Sequence, residues 1–180
     1  MRTALAGTVA AALLSGCLGL NDVSRVVEPG YTPSANRALL VIGAGMEGNW
    51  KAQKFPISLY EYDIQRKSIT GNCWRSNEVH AATELEIEYF VFDVAPGFYA
   101  GGGGMAVFRD QTSPLAFEVP AGRVVYVGDF VYAKDRKVDL RRNMDRAMAA
   151  VKSVYPNITG EPLVAEAVPV PTLQMFLCAP

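Results

Sequence analysis

Acid–base chemistry in this chain would have to come from carboxylates near the ends of predicted strands, namely Asp93, Asp110 and Asp129. Carboxyl groups act as general acid or base when their surroundings shift their pKa values. His80 is the only histidine and lies in a polar stretch. One imidazole is too few for a zinc ligand set, and no nucleophile elbow accompanies it for a catalytic triad. We therefore expect a solvated loop histidine, no metal site, and aspartates that serve as turn residues.

A glycine motif raises the question of a nucleotide cofactor. Gly43, Gly45 and Gly48 form G-x-G-x-x-G after an apolar run, and Asp63 follows at about the distance of a ribose-binding acid. A dinucleotide site needs a full helix directly after the glycines. Only eight residues, 49–56, separate Gly48 from the next predicted strand, and they end in proline. We predict no cofactor, and we expect glycines that allow a bulge or a close backbone approach at a strand edge or corner.

Four consecutive glycines, Gly101, Gly102, Gly103 and Gly104, are the most unusual local feature. Ordering them is entropically unfavourable. They lack the lysine and the hydroxyl residue of a phosphate-binding loop. Two interpretations stay open: a flexible hairpin tip, or a surface that a partner's backbone approaches closely.

The first sixteen residues indicate export. Arg2 precedes an apolar run over 4–14, which is shorter than a bilayer-spanning helix, and small residues lead to Cys17. This pattern resembles the lipobox of bacterial lipoproteins. The resemblance implies cleavage of a signal peptide (1–16), acylation of Cys17 and a stable membrane anchor. The alternative is an ordinary secretory signal that happens to contain a cysteine.

Residues 17–36 are polar and turn-prone and are typical of a tether, which leaves 37–180 as one domain. No aspartate follows Cys17, a pattern that looks like sorting to the outer membrane, facing the periplasm. Cys73 and Cys178 then remain as an even pair in an oxidising compartment. They form either a disulfide that pins the C-terminal tail or two free thiols.

Alternating and β-branched residues predict a mainly β domain. Runs before and after Pro96-Gly97, and before and after Pro120-Ala121-Gly122, are typical of paired antiparallel strands with tight turns. Further strands are predicted over 38–42, 57–63 and 69–74. Together they indicate an antiparallel β-sandwich.

After Phe130 the apolar period becomes helical. We predict a helix over about 139–155, capped by Asp139 and ended by Pro156, and then an extended tail. Its apolar stripe is typical of a face packed on a sheet. The stripe consists of Leu140, Met144, Ala147, Met148, Val151 and Tyr155.

The run from Phe117 to Gly128, together with the lipobox and the late helix, resembles a group of bacterial envelope lipoproteins. Their domain is similar to the prealbumin-like (transthyretin-like) or carboxypeptidase-regulatory-like β-sandwich. Val125 stands where a second aromatic residue is common in that motif. The resemblance implies the fold and the location, but it brings no catalytic residues.

Three functional hypotheses follow. The first is a non-catalytic, lipid-anchored module that binds another envelope component through loops or a sheet edge. A specific version is the outer-membrane anchor lipoprotein of a secretion system. The alternative is a periplasmic or cell-wall enzyme that uses Asp93, Asp110 or Asp129. Loss of Arg2 with the signal leaves sixteen basic against eighteen acidic residues, and no basic stripe suggests a nucleic-acid partner.

Overall fold

The computed structural model of the protein describes residues 25–32, 34–47, 55–70, 78–83, 86–101, 107–108, 113–135, 137–171 and 173. These residues form thirteen β-strands and one α-helix, so the fold is mainly β, as predicted. The elements are β1 (Arg25–Val26), β2 (Ala38–Met46), β3 (Phe55–Asp63), β4 (Ser68–Ile69), β5 (Glu78–Thr83), β6 (Glu88–Val94), β7 (Gly97–Gly101), β8 (Val107–Phe108), β9 (Leu115–Val119), β10 (Val124–Tyr132), β11 (Lys137–Arg141), α1 (Met144–Val154), β12 (Pro162–Val164) and β13 (Ala167–Pro169).

The described strands form two sheets. The six-stranded sheet has the order β13-β9-β7-β3-β4, with β5 also paired to β3, and all its pairs are antiparallel. The seven-stranded sheet has the order β1-β6-β2-β10-β11-β8, with β12 also paired to β10. Its central pair, β2 with β10, is parallel. β10 with β12 and β11 with β8 are parallel as well. The antiparallel prediction therefore holds for the six-stranded sheet but only in part for the seven-stranded one.

The two proline turns are corners between sheets, and the prediction that they close antiparallel pairs is wrong. β6 and β10 belong to the seven-stranded sheet, whereas β7 and β9 belong to the six-stranded sheet. A two-residue hairpin loop of type I′ needs positive φ at both central positions, and Pro96 has its φ fixed near −65°. Gly97 has a φ of +149°, so the chain bends out of one sheet and continues in the other.

One buried cluster takes residues from both sheets. Alternate side chains of β2 and β10 meet those of β3, β5, β7 and β9 there. Phe117 and Phe130, one from each sheet, pack edge to face with ring centres 6.2 Å apart. The Tyr132 hydroxyl donates a hydrogen bond to the Pro56 carbonyl oxygen, 3.2 Å away, and so also joins the two sheets.

The central strands β2 and β10 are buried along their whole length. Their second face lies under α1, where a further buried cluster forms. Burial on both faces explains why these strands are almost continuously apolar in sequence. The described members of this second cluster are Val27, Leu39, Val41, Val91, Val124, Tyr126, Ala147, Met148, Val151, Tyr155 and Ile158.

The helix begins later than predicted. Asn143 is its N-cap and accepts a hydrogen bond from the Arg146 backbone N–H at 3.0 Å. Asp139, the predicted cap, instead lies in β11 and pairs with Arg141 at 2.7 Å. The strand pairing of β11 with β10 extends to Arg141 and delays the helix, which the local sequence around Asp139 does not reveal.

The N-terminal segment is part of the fold from residue 25. Arg25 and Val26 pair with Asp93 and Phe92 of β6, and Val27 is buried. The prediction of a tether up to residue 36 is therefore wrong for 25–32. At the other end of the chain, the predicted extended tail contains two short strands, β12 and β13, which add to β10 and β9 respectively.

Candidate functional site

The structure places two of the three predicted carboxylates on the same face of the seven-stranded sheet. Asp93 lies on β6 and Asp129 on β10, the two strands that flank β2. Both are paired within strands, so the expectation that they serve as turn residues is wrong. Asp93 pairs with Leu39 of β2 and Asp129 with Gly43, so they stand four residues apart along that strand. The third carboxylate, Asp110, lies outside the described residues.

Asp129 is the centre of a buried tyrosine–aspartate cluster. Its side chain is enclosed, with 2% of the residue exposed. The Tyr126 hydroxyl donates to Oδ1 at 2.6 Å, and the Tyr89 hydroxyl donates to Oδ2 at 3.3 Å. The Asn143 backbone N–H donates in turn to the Tyr126 oxygen at 3.3 Å. The cluster therefore links β6 and β10 to the first turn of α1.

Gly43 makes this cluster possible. A Cβ at position 43 would overlap Asp129 Oδ1 and would lie 2.9 Å from Asp129 Cγ and 3.1 Å from Tyr89 Cε1. The missing side chain leaves room for the carboxylate to cross β2 and reach Tyr89. Gly45 is similarly covered, because Glu86 passes over it with its carbonyl carbon 2.8 Å from where a Cβ would stand.

The nucleotide motif therefore has a structural explanation. Gly43 and Gly45 lie inside a central strand, neither at an edge nor in a loop before a helix. The expected close backbone approach is confirmed at Gly45, where the Glu86 backbone lies over the strand, whereas side chains of Asp129 and Tyr89 approach Gly43. The expected edge or corner location is wrong. Gly48, the third glycine of the motif, lies outside the described residues.

The protonation of the cluster follows from its burial. Burial raises the pKa of Asp129, and the two tyrosine hydrogen bonds oppose that shift. Burial next to Asp129 also raises the pKa of Tyr89, to about 12, and that of Tyr126. Both tyrosines are neutral donors at physiological pH, and both carboxylate oxygens are occupied. The cluster is therefore built to fix strands and helix in place.

Asp93 forms the centre of a second polar cluster. The Arg37 guanidinium donates from Nε to Asp93 Oδ1 at 2.7 Å and from Nη2 to the Asp93 carbonyl oxygen at 3.0 Å. The Tyr31 hydroxyl donates a hydrogen bond to Asp93 Oδ2. Tyr31 and Arg37 belong to the connection between β1 and β2, so Asp93 holds that connection against β6. Sequence analysis named Asp93 but not these partners.

An open cleft of ≈ 220 Å³ lies beside the Asp93 cluster. Three parts of the chain surround it: the β1–β2 connection, the turn between β9 and β10, and the segment after α1. Two arginines, three hydroxyl residues and two apolar strand residues contribute to the wall. The lining consists of Thr32, Ser34, Ala35, Arg37, Leu39, Gly122, Arg123, Val124 and Thr159.

His80 lies within β5 and not in a loop, so that prediction is wrong, although the residue is exposed as expected. Its Nδ1 atom lies 3.2 Å from Ser58 Oγ and 3.9 Å from Glu78 Oε1. A catalytic triad uses the two ring nitrogens for its two partners. Here both partners approach the same nitrogen, so the three residues do not form a relay.

The glycine run divides between described and undescribed residues. Gly101 lies in β7, is buried, and has Ser58 O at 2.7 Å from where a Cβ would be. Gly102, Gly103 and Gly104 lie outside the described residues, and the partner contact assigned to this run stays a prediction. Cys17, Cys73 and Cys178 also lie outside them.

Within the described ranges, no three His, Cys, Asp or Glu residues are grouped so that they could hold a metal ion. The one described helix, α1, has eleven residues and is too short to cross a bilayer. Comparison of the chain with protein-family models, with curated proteins and with solved structures finds no match.

Proposed function

We propose that this chain is a lipid-anchored, non-catalytic binding module of the bacterial cell envelope. Its domain in this proposal is an antiparallel-rich, prealbumin-like β-sandwich. Support for the sandwich comes from the buried cluster to which both sheets contribute alternate residues. Support for the anchor comes from the apolar run and the small residues that precede Cys17.

The observation that carries the proposal is the attachment of β1. Arg25 and Val26 are paired with β6 at the edge of the seven-stranded sheet. Only seven residues, 18–24, separate this strand from Cys17. Fully extended, a chain of seven residues spans at most about 23–25 Å. An acylated Cys17 would therefore hold the domain close to the membrane surface, as a binding module for a neighbouring envelope component requires.

The two described aspartates support a non-catalytic role. Asp129 is enclosed, with both oxygens hydrogen-bonded by tyrosines. Asp93 is held by Arg37 and Tyr31. A general acid or base must reach a substrate proton within hydrogen-bond distance. Neither carboxyl group presents a free oxygen for that step.

The first experiment is the intact mass of the full chain extracted from membranes, with crosslinking and pull-down from the same cells. We expect a mass that corresponds to cleavage before Cys17 plus acyl chains, together with one stable envelope partner. Cys17→Ser is the matched control and should lose both the acyl mass and the membrane fraction. Cleavage elsewhere without lipid would contradict the proposal.

The predicted partner contact is tested by deletion of Gly102, Gly103 and Gly104. Gly101 is kept, because it is buried in β7. We expect the deletion to remove the crosslinked partner while the acylated mass stays unchanged. Retention of every partner would refute this assignment of the contact.

A further inference from the structure

The cleft between the β1–β2 connection and the β9–β10 turn has a fixed backbone. Gly122 N donates to the Arg37 carbonyl oxygen at 2.7 Å, and Leu39 N donates to the Arg123 carbonyl oxygen at 2.9 Å. Gly122 has a φ of +69°, which favours glycine, and a Cβ there would lie 3.2 Å from Ala35 O. Two arginines from distant parts of the sequence are thereby held directly before the adjacent strands β2 and β10.

The charges of these two arginines are not equally compensated. Arg37 forms an ion pair with Asp93. Arg123 is exposed and makes no ion pair with any residue in the described part of the chain. None of the residues that line the cleft is acidic. Two like charges that line one cleft repel each other, so an anion in the cleft would relieve an unfavourable arrangement.

The geometry of Arg37 favours recognition of an oxyanion. Its Nε and Nη2 atoms are occupied by Asp93, which fixes the guanidinium plane and leaves Nη1 without a hydrogen bond to any described residue. Arginine is the preferred side chain for phosphate oxygens because its planar donors match them. Thr32 and Thr159 also line this space and carry hydroxyl donors. The Ser34 hydroxyl donates to Asn36 Oδ1 at 2.5 Å.

We propose that this cleft binds a phosphate group, with Arg123 as the principal charged contact and Arg37 as a fixed second donor. The phosphate comes either from the headgroup of an anionic phospholipid or from a free phosphate species. The lipid source rests on the proposed membrane anchor, whereas the phosphate chemistry of the cleft does not. A headgroup fits the position of the cleft, because Arg25 of β1 pairs with Asp93, the partner of Arg37, and only seven residues separate β1 from Cys17.

Two binding measurements on the full chain, in neutral detergent, separate the sources. One is calorimetric titration with inorganic phosphate. The other is native mass spectrometry with phosphatidylglycerol, compared with phosphatidylcholine. The same spectra report the acyl mass on Cys17, so failure of the anchor is visible separately from failure of the cleft.

Arg123→Gln tests the contact, and Arg66→Gln is its matched control. Arg66 is an exposed arginine on the turn between β3 and β4 of the other sheet. Loss of a charge-assisted hydrogen bond predicts affinity weakened at least about tenfold for Arg123→Gln. Arg66→Gln should bind with the affinity of the wild type. Arg123→Lys should have an affinity between those of Arg123→Gln and the wild type.

Binding of both ligands, or of one alone, supports the cleft and identifies the source of the phosphate. The proposal is overturned if calorimetry detects no binding of inorganic phosphate and mass spectrometry detects no more phosphatidylglycerol than phosphatidylcholine on the protein. Equal binding by Arg123→Gln and the wild type would also overturn it, as would equal losses in Arg123→Gln and Arg66→Gln. The far-ultraviolet circular dichroism of each variant shows that it is folded.

Discussion

Replacement of Gly43 by alanine should destabilise the protein through a clash with Asp129. The new Cβ would lie 2.9 Å from Asp129 Cγ and 3.1 Å from Tyr89 Cε1. β2 is hydrogen-bonded to a strand on each side, so its backbone has no room to move. The carboxylate must rotate instead, and it then loses the 2.6 Å bond from Tyr126.

The expected size of the effect follows from three contributions. Overpacking of a tight site costs about 1–3 kcal/mol. Loss of a hydrogen bond to a charged group costs about 1.5–3 kcal/mol. Alanine in a strand offsets about 0.5–1 kcal/mol of this relative to glycine. We therefore expect Gly43→Ala to lower the free energy of unfolding by about 2–5 kcal/mol, a large share of the ~5–15 kcal/mol typical of a domain.

A double-mutant cycle with Asp129→Ala isolates the cause. In the Asp129→Ala background the clash with Asp129 is gone, so Gly43→Ala should cost no more than about 1 kcal/mol, which gives a coupling energy of at least about 1–4 kcal/mol. Equilibrium urea unfolding, followed by circular dichroism, measures each value, provided that the m-values agree. An equal cost in both backgrounds would refute the reasoning, because the clash would then lie with Tyr89 or the backbone.

Three further measurements test other parts of the structure. Burial raises the folded-state pKa of Asp129 above its ordinary value of 3.8, so the stability that the protonated carboxyl group contributes is lost as the pH rises through the raised pKa. Asp129→Asn should remove this decrease from the plot of unfolding free energy against pH. A mutant curve parallel to that of the wild type would contradict this prediction. Asn143→Ala should lower the unfolding free energy by about 1 kcal/mol through loss of the cap, whereas Asn143→Asp should keep it; equal losses would argue against capping. A Cys73–Cys178 disulfide should lower alkylation until reductant is added and should contribute roughly 4–5 kcal/mol, and equal alkylation with and without reductant would exclude it.

The predicted disulfide has a structural context in the described residues on either side of it. Ile69 and Leu173 lie at the same buried cluster on the outer face of the six-stranded sheet. Cys73 follows Ile69 by four residues, and Cys178 follows Leu173 by five. Both separations are short along the sequence, and the bond itself stays a prediction.

Sequence patterns predicted the elements but not their pairing. The β-rich runs on both sides of Pro96 and Pro120, and the helical stripe at Ala147 and Val151, depend on local alternation and period, and they are confirmed. Whether a Pro-Gly turn closes a hairpin or crosses to another sheet depends on which distant strand the next run meets. No local pattern contains that information, so the hairpin prediction failed.

The tyrosine–aspartate cluster could be predicted only in part. Asp129 stands within an otherwise almost apolar strand, which indicates a buried and satisfied carboxylate. Its partner Tyr126 is three residues away, a spacing that reaches the same face only because the pairing shifts between Tyr126 and Gly128, where Gly128 has a φ of +141°. Tyr89 is forty residues away, and its position depends on the order of β6, β2 and β10.

The parallel pairing of β2 with β10 has a consequence for function as well as for fold. It brings the beginnings of the two strands to the same end of the sheet, so Arg37 and Arg123 become neighbours although they are 86 positions apart in sequence. β1 joins the sheet at that end too, because Arg25 pairs with Asp93. An antiparallel arrangement would have put the start of β10 at the far end of β2, about 30 Å away for nine residues. The same pairing that the sequence did not reveal therefore places the proposed phosphate cleft at the end of the domain where the chain from Cys17 enters.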